Sequence, residues 1–123
     1  DWAASLPERL RAANLLAQKE ADIAHDAVEE MKPRYPRFAA LHERAHEKGE
    51  RDLQLLLRYT AQGMVAADPE MPKDKLFTWY GTIIRAAGMT PEFTAEACRA
   101  AYDAAQRLLP PEAFATAEPY LAR

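Results

Sequence analysis

The chain has 123 residues, 49% of them hydrophobic and 28% charged, with a formal net charge of −3. That length fits one domain, residues 1–123, large enough to bury a core unaided, and the mild negative charge gives no attraction for a polyanion, which excludes nucleic acid as a partner. No apolar run approaches the roughly 18–20 residues that span a bilayer, and the start DWAASLPERL lacks the order of a signal peptide, so a cytoplasmic protein with no membrane partner is expected.

Alanine is abundant, glycine is scarce, and Thr, Val and Ile nowhere cluster as strands require, which predicts an all-α domain. The first helix is expected to start with Ser5 as its cap and Pro7 and Glu8 in its first turn. It carries Leu10, Leu15, Ile23, Ala27 and Met31 near one face and ends at Pro33 and Pro36. A longer second helix is predicted over Ala39–Ala67, stopping before Pro69. Pro72 opens a third, KDKLFTWYGTIIRAA, closed by Gly88. Within it Trp79 and Tyr80 point about 100° apart, so only one of them can stack on a flat ligand, and core packing accounts for either. Thr90, Pro91 and Glu92 start a fourth helix, EFTAEACRAAYDAAQRLL. The chain's single cysteine, Cys98, reads there as a small buried hydrophobe; alone it excludes an intrachain disulfide, a thiolate zinc site and a CxxCH haem attachment. Pro110 and Pro111 precede a short terminal helix, EAFATAEPYLAR. The sum is a compact bundle of about five helices, and the apolar faces of the first two suit a homodimer.

The second helix carries the most informative pattern. At about 100° per residue, His42, His46, Gly49, Leu53, Leu56, Leu57 and Thr60 fall on one stripe, with Glu43, Glu47, Arg51, Gln54 and Arg58 opposite. Asp52 lies at the edge of the stripe, shielded yet reachable, and the missing side chain of Gly49 opens space for a flat ligand along the backbone. Such a face reads as one wall of a pocket, with imidazoles at one end and an aliphatic floor. The plainer alternative makes the histidines boundary residues and Gly49 a packing contact. HERAH also matches H-E-x-x-H formally, with Glu43 as base, but no third zinc ligand is evident downstream. A zinc hydrolase would show bound zinc and lose activity on Glu43→Gln.

ERDLQLLLRYTAQGMVAAD, Glu50–Asp68, resembles the signature helix of the phycobiliproteins, in which Cys-x-Arg-Asp precedes a Tyr-Tyr-Leu-Arg block and a Gly-x-Val-Ala-Gly-Asp-like turn. Arg51–Asp52, Leu57–Arg58, and Gly63, Val65, Ala66 and Asp68 hold that register without a gap. Upstream, LPERLRAANLLAQKEADIAHDAVEEMKPRYPRF is similar to the family's earlier helices, and GMTPEFTAEACRAAYDAAQRLL and PPEAFATAEPYL are similar to its later ones. The resemblance spans nearly the whole chain and implies a globin-like fold, without the family's N-terminal extension helices. Gly49 stands where the family has its bilin-bonding cysteine, and Leu55–Leu56 replace the tyrosine pair.

A phycobiliprotein-like chain without that cysteine is similar to the bilin biosynthesis-associated globins, which implies a non-enzymatic protein that binds haem non-covalently beside haem-degrading enzymes, with a haem oxygenase as partner. On that resemblance His46 is the first candidate for the iron and His42 the second; His25 is an outsider. Both His42 and His46 project from one helix face, so they are not opposite axial ligands. A neutral imidazole suits iron, an apolar pocket walled by Leu53 and Leu56 buries a porphyrin, and Arg51 and Arg58 suit its propionates. Asp52, which in the family holds the pyrrole nitrogens, would contact the ligand histidine or a bilin. Two alternatives remain open beside haem: a non-covalent bilin (biliverdin) protein, and a pigment-free interaction module.

Overall fold

The computed structural model describes residues 2–72, 74 and 91–121. All regular structure among them is helical: α1 (Trp2–Arg34), the one-turn α2 (Pro36–Ala39), α3 (Glu43–Ala66), α4 (Pro91–Leu108), α5 (Pro111–Ala117) and a 3-10 turn, Glu118–Tyr120. Residues 70–72 and 74 are helical too, so the helix predicted to open at Pro72 has its first described residue at Glu70. Trp79, Tyr80 and the Gly88 cap of that helix lie outside the described residues.

At 1.5 Å per residue α1 is a strut of about 50 Å, and α3, α4 and α5 all pack on it. Ala12, Leu16, Ile23, Ala27 and Met31 recur at helical spacing and are buried in one cluster with Leu53, Leu57 and Met64 of α3. Ala100, Ala101, Ala104 and Ala105 of α4, with Ala113 and Ala117 of α5, complete the cluster; their small side chains bring helix backbones close. Each large aliphatic side chain buried here contributes about 1.5–3 kcal/mol.

α1 starts earlier than the Ser5 cap predicts. Ser5 lies inside the helix, where its hydroxyl accepts a 2.9 Å hydrogen bond from Nε of Arg9. Pro7 and Pro33 are both within α1, each near an end, so each removes one N–H from the ladder close to a terminus and leaves the middle of the helix intact. The break falls at Tyr35, whose extended backbone (φ −132°, ψ 89°) is the conformation forced on a residue before proline.

The predicted single helix over Ala39–Ala67 is divided. His42 is extended (φ −61°, ψ 149°), so Pro36–Ala39 forms its own turn and α3 begins at Glu43. The far end of α3 closes on Ala67 in the left-handed region (φ 55°, ψ 41°), with the Asp68 N–H donating to the Gly63 carbonyl at 2.8 Å. Gly63 is required there, since a Cβ would come within 2.8 Å of the Asp68 carbonyl oxygen. The terminal helix predicted as EAFATAEPYLAR is α5 followed by the tighter 3-10 turn, because Pro119 has no N–H to extend an α-helix.

An aromatic corner fixes α2. Tyr35 meets Phe93 of α4 edge-on (5.3 Å between ring centroids), Phe93 meets Phe38 of α2 (5.2 Å), and Phe38 meets the His46 imidazole of α3 (4.9 Å). No described helix is long and apolar enough to cross a membrane.

Candidate functional site

The two histidines that sequence places on one pocket wall have separate tasks. His42 is the N-cap of α3 and is exposed; its Nδ1 accepts the Arg44 N–H at 3.1 Å, satisfying one of the helix's unpaired donors. Histidine thus stands in for the usual Asp or Ser. His46 is buried, and because a carbonyl can only accept, its Nε2 donates to the Phe38 oxygen, 2.7 Å away. That bond fixes the tautomer and leaves Nδ1 as the nitrogen with a lone pair.

Four residues on, the same helix changes character. Gly49 is half-buried, and a Cβ built on it meets nothing within 4 Å, so the surface beside its backbone is open. Asp52, one turn later, is also half-buried. Burial lifts its carboxyl above the ordinary range, a shift only partly opposed by the nearby Lys48 and Arg51. Among the described residues Asp52 has neither a hydrogen-bond nor an ion-pair partner. At about 100° per residue, Gly49, Asp52 and Leu56 share one face, and His46 is about 120° from Asp52 around the helix. The described structure therefore brings Gly49, Asp52 and Leu56 together and turns His46 toward the side of Leu53 and Leu57, which belong to the core cluster.

The two arginines also separate. Arg51 is exposed. Arg58 is engaged: its Nη2 is 2.8 Å from Oε1 of Glu20, which also accepts from Gln54 at 3.2 Å. The Glu20 side chain is buried, and its other oxygen has no hydrogen-bond partner among the described residues. Arg58 further lines an open groove of about 380 Å³ between α1 and α3, with Ala13, Ala17 and Ala61. A second groove, of about 520 Å³, lies where α1 meets α5; neither groove reaches His46, Gly49 or Asp52.

Cys98 is buried, and desolvation pushes its thiol up to about 11, so little thiolate forms near neutrality. It is unsuited to anchoring a ligand covalently. Sequence reasoning missed Arg9 and Glu20, the charged residues on the buried stripe of α1. Their signal was periodicity: positions 9 and 20 continue the spacing of Ala12, Leu16 and Ile23.

A long helix carrying three shorter ones, all joined by one alanine-rich core, defines a globin-like all-α bundle. Residues 2–123 match the family model described as phycobilisome protein, and the chain belongs to that family. Its members are pigment-carrying structural proteins of globin-like fold, with bilins as their chromophores. A comparison with curated proteins finds no match.

Proposed function

We propose that this chain binds a tetrapyrrole without a covalent bond, the pigment lying along the Gly49–Asp52 face of α3, and that a linear bilin is preferred to haem. Asp52 carries the reading. A desolvated carboxyl without a partner costs folding free energy, and such a group beside open space is suited to a ligand that supplies the missing donors. A bilin presents pyrrole N–H groups that a carboxylate accepts. Its flat conjugated face can approach the backbone at Gly49, while the exposed Arg51 is placed for a propionate better than Arg58, which Glu20 already engages. Membership of a bilin-carrying family supports the same ligand class. A glycine at position 49 and the inert Cys98 favour reversible binding over a thioether.

One observation favours haem as a second reading. A ligating histidine commonly gives its other ring N–H to a backbone carbonyl, as His46 does to Phe38, and this leaves Nδ1 as the iron donor, with His42 behind it as a candidate. In that reading the protein carries haem beside a haem oxygenase, or holds the bilin released from it. The burial of the His46 ring against Phe38 ranks this reading second.

Parallel absorbance titrations of the apoprotein with biliverdin and with haemin test the proposal. Expected is a saturable, intensified and shifted biliverdin band at one equivalent, weakened at least tenfold by Asp52→Asn, with haemin giving only its broad free spectrum. A sharpened Soret band lost on His46→Ala would replace bilin by haem. With no response to either pigment, the reading as a pigment protein fails and the pigment-free interaction module takes its place.

A further inference from the structure

His25 and Glu29 stand one turn apart on the outer side of α1, and Glu50 of α3 faces them. A ring nitrogen of His25 and one carboxylate oxygen from each glutamate all lie within 4.8 Å of one another, and Nδ1 is 2.7 Å from Oε1 of Glu50. We propose that His25, Glu29 and Glu50 form a site for a divalent transition cation of the zinc type, clasping α1 to α3.

Side chains at i and i+4 lie over one another on a helix, so His25 and Glu29 form a ready two-donor edge. The third donor comes from a helix whose position is already fixed by the buried contacts of Leu16, Ile23, Leu53 and Leu57. One imidazole nitrogen and two carboxylates supply three positions of a tetrahedral zinc centre, with water for the fourth. Donors on such an ion, at bond lengths of about 2.0–2.2 Å, are roughly 3.3–3.6 Å apart. The present donors need to close by little more than an ångström, which rotation of the glutamate side chains supplies.

Two carboxylates and a neutral imidazole carry charge −2 in total, matching the ion. The His25–Glu50 hydrogen bond holds a proton where the metal would sit, so binding displaces that proton. Lys32, which now donates to Glu29 at 2.7 Å, swings away on its flexible stem. Calcium and magnesium, which require six or more oxygen ligands, fit this donor set poorly. The site is independent of the pigment face: Glu50 projects about 160° from Asp52 around α3.

Calorimetric titration of the full chain with zinc chloride, in a non-chelating buffer near neutral pH, tests the assignment. Magnesium and calcium are titrated alongside, and melting temperature is read on the same samples. One zinc ion per chain is expected, with affinity falling at least tenfold in His25→Ala and in Glu50→Gln. Zinc should raise the melting temperature of the wild type and not of His25→Ala. His42→Ala, which breaks the His42–His46 pair of HERAH, should bind zinc like the wild type. The proposal is overturned by the absence of saturable zinc binding, by equal binding of calcium, or by loss of zinc on His42→Ala with retention in His25→Ala. Circular dichroism of each variant guards against unfolding; because all three ligands are exposed or half-exposed, the folded state should survive each substitution.

Discussion

Arg9, near the start of α1, reaches the last turn of α3, where its Nη1 donates to the carbonyl oxygens of Met64 at 2.8 Å and Val65 at 2.7 Å. These carbonyls lie in the last turn of the helix, where the Met64 oxygen also accepts the Ala67 N–H at 3.2 Å, and the guanidinium meets them at the negative end of the helix dipole. Arg9 itself is 4% exposed. Arg9→Met keeps the aliphatic stem but withdraws the charged donor from both carbonyls, and is expected to destabilise the fold by about 1–3 kcal/mol. Chemical denaturation followed by circular dichroism should show the midpoint falling with the m-value unchanged. A loss below about 0.5 kcal/mol would deny this contact its role.

The turn after α3 predicts two substitutions of opposite sign. Gly63→Ala drives a Cβ to 2.8 Å from the Asp68 carbonyl and 3.1 Å from Pro72 Cδ, which should cost about 1–3 kcal/mol although alanine is the better helix former. Ala67→Gly relieves an L-residue of a left-handed backbone (φ 55°) and should gain about 0.5–1 kcal/mol. Thermal melts of the pair decide it: equal shifts, or shifts of the same sign, contradict the geometry.

His42 and His46 separate in the same kind of experiment. His42→Asp places a better N-cap before Glu43 and should raise stability by about 0.5–1 kcal/mol. His46→Leu keeps the bulk but removes the donor to the Phe38 carbonyl and the edge contact with its ring, and should lower stability by about 1–3 kcal/mol. Destabilisation by both substitutions to the same extent would mean that His42 makes contacts beyond its cap.

These contrasts show what could be read from the sequence. Helical class and most helix ends follow from proline positions and alanine content, because those act locally; the leucines of the second helix were legible as one apolar face, read as a pocket wall, and Leu53 and Leu57 of that face belong to the core cluster. The division at His42 was not legible: nothing in a histidine's identity distinguishes a residue on the stripe from a cap, and the choice is made by Pro36 and the Phe38 corner. Nor could the stripe say which side of α3 faces α1. His46 and Asp52 lie on opposite flanks of Gly49, and only the packing of α1 decides that the imidazole turns inward while the carboxylate keeps an open neighbour. Arg9 and Glu20 were visible as charged residues at core spacing, but their partners lie 55 and 38 positions away in sequence.

Asp52 supplies the prediction that joins stability to function. Its folded-state pKa lies above the unfolded value because burial disfavours the charged form. A carboxyl shifted in that direction favours folding at pH values below its unfolded pKa, and that contribution is lost as pH rises through the folded pKa. At neutral pH the charged, half-buried carboxylate is therefore a liability in the pigment-free protein, and Asp52→Asn should be the more stable. Solvent screening at a half-exposed site limits the gain to a few tenths of a kcal/mol, or about 1–2 °C in melting temperature, and the difference should vanish in acid. With saturating biliverdin the order should reverse, because a ligand stabilises in proportion to its affinity and the asparagine variant binds more weakly. Paired melts at neutral and acid pH, with and without pigment, distinguish the two terms. If the variant were less stable without pigment at neutral pH, Asp52 would be a structural residue with a partner of its own, and the pigment face would have to be sought elsewhere.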